Sequence, residues 1–200
     1  RNFDEWKRNR KNSTMKKQYL MDELIAEAGE IAVVQTTLPA EAVHIARTLL
    51  EKGVKAMEIA YRDPENQEGS DECIRAVREQ VPEMLAGAAT ITSPEVARRA
   101  VKAGAQFLLS AGFNWKTVKY CVSRNIPVYP GVATPGEIEQ ALGLGLSVLK
   151  IFPVEILGGT KYLDALKGPY PCVRFIVSGG INSQNCDEYK KLENVLAVSG

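Results

Sequence analysis

From Ile31 onward, short continuous apolar runs alternate with longer segments in which apolar residues recur every three or four positions. The runs have strand length and are rich in Val, Ile and Leu, whereas the longer segments carry the helical period. Ahead of this rhythm, residues 19–28 place Leu20, Leu24 and Ile25 at helical spacing, with Gly29 positioned to cap the helix. Strands are predicted over 31–34, 54–60, 84–88, 106–109, 127–129, 147–153, 173–177 and 195–198. Helices fill the intervals, over 39–52, from the 63–66 loop to Gln80, and over 93–103, 114–124, 135–144, 161–167 and 183–191. Pro39 and Pro135 suit first helical turns, and Gly53, Gly104 and Gly145 suit helix ends. Strands separated by helices at this spacing indicate parallel βαβ units, and eight of them indicate a compact (β/α)8 TIM barrel of the α/β class. An open doubly wound sheet is the competing architecture, but no Gly-x-Gly-x-x-Gly follows the first strand. The chain stops at Gly200, just after the eighth strand, so the last barrel helix is missing from it and the natural protein is expected to continue. Residues 1–18 form a basic N-terminal extension, and 19–200 a single barrel domain with its own N-terminal helix.

Composition narrows the function by exclusion. The net charge of +1 gives no global field for nucleic acid or an anionic membrane. No apolar run approaches the roughly 20 residues of a membrane helix, and the N-terminus lacks a secretory h-region. Cys73, Cys121, Cys172 and Cys186 are widely spaced, without a Cys-x-x-Cys pair, so reduced thiols and a cytoplasmic location are expected. His44 is the single histidine and falls within a predicted helix, which argues against a Ser-His-Asp hydrolase or a histidine metal site. The extension, with Phe3 and Trp6 as its aromatic residues, is assigned no chemistry, and Asn12-Ser13-Thr14 is read as a chance sequon.

One strand departs from the apolar rule. Ser147-Val148-Leu149-Lys150-Ile151-Phe152-Pro153 carries a lysine inside its apolar run. An isolated ammonium is expensive to desolvate, so Lys150 must be paired, reach solvent or give up its proton. Two readings are open here. Either the side chain snorkels from the strand end to the surface, or it is an amine nucleophile set for Schiff-base chemistry with a carbonyl. In barrels of this type the active site lies at the C-terminal ends of the strands. Alternation along Ala56-Met57-Glu58-Ile59-Ala60 turns Glu58 inward between two alanines, and Arg62 has the same parity at the mouth. A lysine and a glutamate in one interior can divide nucleophilic and proton-transfer roles, or can form a structural ion pair. Ser178-Gly179-Gly180-Ile181-Asn182 and Ser199-Gly200 end the last two strands, where such barrels often hold phosphate on backbone N–H groups. A Gly-Gly turn equally serves to close a tight connection.

Five motifs in order make a specific pattern. They are Glu58-Ile-Ala-Tyr-Arg62, Gly87-Ala-Ala-Thr90, Pro130-Gly131-Val-Ala-Thr134-Pro135, Leu149-Lys150-Ile-Phe-Pro153 and Ser178-Gly-Gly-Ile-Asn182. The chain from Ile31 to Gly200 resembles the 2-keto-3-deoxy-6-phosphogluconate / 4-hydroxy-2-oxoglutarate aldolase family of class I, Schiff-base enzymes. The resemblance implies cleavage of a 2-keto-4-hydroxy acid to pyruvate and an aldehyde, glyceraldehyde 3-phosphate or glyoxylate. It implies Lys150 as the Schiff-base lysine, Glu58 as the proton-transfer group, and Arg62 and Thr90 as the grip on the pyruvate carboxylate. Phe152 and Pro153 would shape the wall, and Ser178, Gly179, Gly180, Ser199 and Gly200 would complete the substrate-binding set at the distal phosphate or carboxylate end. It further implies no metal, no cofactor beyond the covalent imine, a small keto-acid partner and a homotrimer. The chain departs from the family pattern at Ala60 and Ser178 (usually threonine), Ala89 and Ser199 (usually glycine) and Val177 (usually proline). Two alternatives remain: an aldolase of the same fold for another keto acid, and a catalytically silent barrel acting as a binding or assembly subunit.

Overall fold

The computed structural model describes residues 15–200, so the sequon and the two aromatic residues of the extension lie outside the described residues. Strands and helices alternate as α1 (Lys16–Ala28), β1 (Glu30–Val34), α2 (Pro39–Glu51), β2 (Ala56–Ala60), α3 (Gln67–Gln80), β3 (Leu85–Ala89), α4 (Pro94–Ala103) and β4 (Leu108–Leu109). They continue as α5 (Trp115–Ser123), β5 (Val128–Tyr129), β6 (Gly131–Val132), α6 (Pro135–Gly143), β7 (Val148–Ile151), α7 (Val154–Leu157), α8 (Gly159–Lys167), β8 (Arg174–Ser178), α9 (Cys186–Lys190) and β9 (Val195–Ser199). The helix starts are written locally. Asn66, Ser93, Asn114 and Thr134 each accept a backbone N–H from the third residue onward, satisfying a donor the helix itself leaves unpaired.

All strand pairs are parallel, in the order β5-β4-β3-β2-β1-β9-β8-β7-β6. β5 and β6 are one strand interrupted at Pro130, which has no N–H to give the ladder. Val128 and Tyr129 pair with β4, while Gly131 and Val132 pair with β7, so this broken strand joins the two edges of the sheet into a barrel. The eight strands expected from the sequence therefore appear as nine segments.

Three elements differ from expectation, for local reasons. The fourth strand pairs only over Leu108–Leu109, because the Gln106 side chain rather than a backbone carbonyl accepts the Ala86 N–H. The helix expected over 183–191 shortens to Cys186–Lys190, since the Asn182 and Asn185 side chains take the backbone N–H groups of Gln184 and Asn182 into turns. The one-turn helix α7 follows the lysine strand directly and was not expected.

Alternation splits the core in two. Outward residues such as Met57, Ile59, Leu149, Ile151 and Val177 pack beneath the helices. Inward residues Ile31, Ala56, Phe107, Leu109, Tyr129, Val148, Ile176 and Ala197 fill the barrel, joined by Met21 and Ile25 of α1. Helix α1 thus closes the end where the strands begin, and the opposite end is left for chemistry.

Candidate active site

Lys150 sits at the third position of β7, paired with Gly131 on one side and Ile176 on the other. Its backbone N–H also donates to Pro130 O at 3.0 Å, so ladder contacts on both sides aim the side chain into the barrel. Glu58 is fixed in the same way, between Val33 of β1 and Gly87 of β3. The two meet across the interior with Lys150 Nζ 3.3 Å from Glu58 Oε1. Their side chains are only 8 % and 1 % exposed, which removes the snorkelling reading. The ring of Phe152 lies 5.9 Å from the ammonium.

The carboxylate is unevenly used. Ser199 Oγ also donates to Glu58 Oε1, at 3.3 Å, so both donors converge on one oxygen. Oε2 is buried and has no hydrogen-bond partner. Leaving a buried carboxylate oxygen without a protein partner is costly, and in a native site such an oxygen is suited to accept from a substrate group or a water. Small residues stand at the neighbouring inward positions: Ala60, Ala89 and Gly131. Gly87 has a packing role, because a side chain there would collide with the Phe107 ring.

At the mouth, Arg62 is exposed and donates from Nη1 to Gln35 Oε1 at 2.8 Å. Gln35, just past β1, carried no sequence signal, since a lone glutamine after a strand is unremarkable. Thr90 directly follows β3 with φ +61°, a left-handed conformation that is unusual for a β-branched residue and costs about 1–3 kcal/mol. Such strain clusters at functional sites, where the surroundings hold it in place.

The glycine turn after β8 packs directly on the segment that follows the lysine. Gly179 and Gly180 have φ of +91° and +93°, and a Cβ on them would lie 2.6 Å from Pro153 Cα and 2.5 Å from Glu155 Cγ. Gly179 O accepts the Glu155 N–H at 3.2 Å, locking the two turns together. The Glu155 carboxylate in turn accepts a hydrogen bond from Tyr189, whose hydroxyl is pushed up from the ordinary tyrosine value by burial and then by that bond. Among the described residues the Gly179 and Gly180 amides have no acceptor. Gly200 differs: its N–H donates to Ile31 O and its carbonyl accepts from Val33, so both groups belong to the ladder. Ser178 and Ser199 are buried side by side at the paired ends of β8 and β9. The structure therefore gathers Lys150, Glu58 and Ser199 at one point, with Phe152 beside the ammonium. Arg62 stands at the rim, and the Gly179-Gly180 turn stands against Pro153.

A second buried polar cluster, on the outer face, was not read from the sequence. Tyr61 donates to Asp71 Oδ1 at 2.7 Å, and Arg99 Nε lies 2.6 Å from Asp71 Oδ2. No group of three or more His, Cys, Asp or Glu residues able to hold a metal ion occurs among the described residues. No described helix is long and apolar enough to cross a membrane.

Sequence and fold both match known proteins. Residues 21–200 match the family described as KDPG and KHG aldolase. The chain is 42 % identical over 170 residues to the 2-dehydro-3-deoxy-phosphogluconate aldolase of Treponema pallidum, covering 85 % of this chain and 79 % of that one. It is 36 % identical over 159 residues to the KHG/KDPG aldolase of Escherichia coli K12, covering 80 % and 73 %. In three dimensions it is similar to a KDPG aldolase from Legionella pneumophila with pyruvate captured as a covalent carbinolamine, with a TM-score of 0.83, 31 % identity and coverage of 90 % and 85 %. The family match spans nearly the whole chain and the relatives share its barrel, so the chain belongs to the KDPG and KHG aldolase family.

Proposed function

We propose that Lys150 and Glu58 make this chain a class I aldolase that cleaves a 2-keto-4-hydroxy acid to pyruvate and an aldehyde. The observation that carries the reading is the buried lysine 3.3 Å from a carboxylate whose second oxygen is unpartnered. Lys150 Nζ, once it has lost a proton, attacks the C2 carbonyl, and loss of water from the carbinolamine gives an iminium. Glu58 takes the proton of the C4 hydroxyl as the C3–C4 bond breaks. The bond's electron pair moves into the iminium, leaving an enamine and a free aldehyde. Glu58 then returns a proton to C3, and hydrolysis releases pyruvate and the lysine.

Arg62 and Thr90 grip the pyruvate carboxylate, and the guanidinium fork suits two carboxylate oxygens. Phe152 and Pro153 form the wall beside the imine. Ser178 and the free amides of Gly179 and Gly180 face the distal anion, a phosphate or a carboxylate, whereas the Ser199 hydroxyl is turned to Glu58 and the Gly200 backbone groups are held in the ladder. The substrate is accordingly 2-keto-3-deoxy-6-phosphogluconate or 4-hydroxy-2-oxoglutarate, the pair suggested by the relatives' names. The iminium is itself the electron sink, so neither metal nor cofactor enters the cycle. Family likeness supports a homotrimer acting on small keto acids in the cytoplasm.

The test is reduction of the protein–pyruvate mixture with borohydride, followed by peptide mass mapping. A single adduct on Lys150 is expected, and activity should survive EDTA. An adduct on another lysine, or none, would sink the mechanism.

A further inference from the structure

Ser199 is the last residue of β9, and its hydroxyl lies inside the barrel. Its direction is set by the backbone. Ser199 is paired with Ser178 of β8 and Ile31 of β1, and alternation along β9 turns Ala197 inward, Val198 outward and Ser199 inward. The side chain is 1 % exposed, and its Oγ donates to Glu58 Oε1 at 3.3 Å. In the free protein Lys150 donates to that same oxygen, also at 3.3 Å.

We propose that Ser199 is a positioning residue that holds Glu58 through the covalent half of the cycle, committing Oε1 to the protein and leaving Oε2 as the proton-exchanging oxygen. The proposal rests on the Schiff-base reading of Lys150. Before reaction, two donors fix Glu58. When the ammonium becomes an iminium it keeps one N–H of its three, and that nitrogen is now directed by the substrate. The Ser199 hydroxyl is then the donor that remains on Oε1. Oε2 has no protein partner and so is the oxygen left to take the C4 hydroxyl proton and return it to C3. Without Ser199 the carboxylate is free to rotate about its side-chain torsions during the very steps in which it moves protons, and misplacement of a proton-transfer group is expensive. Imine formation, by contrast, takes place while Lys150 itself is still available to hold Glu58.

The experiment separates those two halves. Pyruvate in D2O exchanges its methyl protons when Glu58 removes one from C3 of the iminium and returns a deuteron, so exchange followed by NMR reports proton transfer without any C–C cleavage. For Ser199→Ala, borohydride trapping of pyruvate should match the unaltered protein and KM should stay within about twofold. Methyl exchange and kcat should both fall by roughly 10- to 100-fold, the size of a lost hydrogen bond to a charged group. Ser199→Thr keeps the hydroxyl on a strand-compatible side chain and should restore most of both rates. Unchanged exchange and kcat in Ser199→Ala, a loss confined to KM, or a Ser199→Thr variant as slow as Ser199→Ala would each overturn the proposal. Should the alanine variant fail to fold, Ser199→Gly against Ser199→Thr makes the same contrast, and equal rates in that pair would overturn it. If the unaltered protein fails to trap pyruvate, the Schiff-base reading falls and takes this proposal with it. Normal trapping with an indifferent Ser199→Ala removes this proposal alone.

Discussion

Two buried carboxylates lie on opposite sides of strand β2, and they are built differently. Asp71, on α3 beneath the outer face, has both oxygens engaged: Oδ1 by the Tyr61 hydroxyl, Oδ2 by Arg99 at 2.6 Å and by Arg75 at 4.0 Å. Glu58, on the inner face, gives one oxygen to both Lys150 and Ser199 and leaves the other empty. Both residues are nearly inaccessible, and both are paired with a cation. Burial and pairing therefore do not distinguish structure from chemistry here. What distinguishes them is completeness. Both oxygens of Asp71 have a partner in the outer cluster, the Tyr61 hydroxyl on one and an ion pair on the other, whereas Glu58 keeps one oxygen without a partner beside alanine and glycine positions. A buried carboxylate with both oxygens engaged serves the fold, and one with an oxygen left over has an acceptor to offer a substrate.

The sharpest way to break the contrast is at the lysine. Lys150→Met should abolish pyruvate trapping and reduce turnover to background. It should also destabilise the fold by about 3–5 kcal/mol, because Glu58 is left buried without its cation. Adding Glu58→Gln should recover part of that stability in denaturant titrations and none of the activity. Recovery of turnover in the double variant would remove Lys150 from the mechanism.

At the next level the two carboxylates should exchange their consequences. Glu58→Gln is expected to lower kcat by about 10²–10⁴-fold while the imine still forms. Asp71→Asn should leave kcat within about twofold and lower stability by roughly 1.5–3 kcal/mol, in the lower part of that span because the Arg99 side chain is 40 % exposed. Equal kinetic losses from the two would mean that the outer cluster is coupled to turnover after all. Arg62→Ala should raise KM about tenfold with a smaller change in kcat, since an exposed guanidinium forms charge-assisted hydrogen bonds partly screened by water. Saturation kinetics with pyruvate-forming substrates would show a kcat-dominated loss if Arg62 instead acts in the chemical step.

Much of the inner cluster was legible in the sequence because strand alternation has a period of two. Once Met57 and Ile59 were assigned to the helix-facing side, Glu58 had to point inward, and one charged residue in an apolar strand singled out Lys150. Eight strands were likewise countable from apolar runs separated by helical periods. The split of the fifth strand at Pro130 and the side-chain role of Gln106 at the fourth were not countable. Both depend on which backbone donor a neighbouring strand happens to need. The hydroxyl of Ser199 could be noticed as a departure from the family, but its partner could not, because that bond joins residues 141 positions apart through the register of β8, β9 and β1. The Tyr61–Asp71–Arg99 cluster left no motif at all. It spans a strand end and two helices, and each residue alone looks like an ordinary polar side chain at the protein surface.

That outer cluster offers the smallest effect, and it is readable through pH. Burial first, and the bond to Asp71 second, push the Tyr61 hydroxyl above the ordinary tyrosine value of 10.0, so the fold favours the neutral phenol. Below pH 10 the tyrosine is protonated whether the chain is folded or not, and this contribution to stability is fully present. Above it the unfolded chain releases the proton while the folded chain keeps it, so stability falls as pH rises, by up to about 1.4 kcal/mol per pH unit. Tyr61→Phe should therefore cost about 1 kcal/mol near neutral pH, for the lost hydrogen bond. The variant should then lose stability more slowly on the alkaline side, so that its curve of unfolding free energy against pH approaches that of the unaltered protein. Cys73 and Cys121, pushed up to about 11 and about 12 by burial, contribute an alkaline decline common to both proteins, which the difference between the curves cancels. Curves that stay parallel from neutral to alkaline pH would mean that the Tyr61 phenol is no more protected in the fold than in the open chain. The contrast between a closed outer cluster and an open inner one would then rest on Arg99 alone.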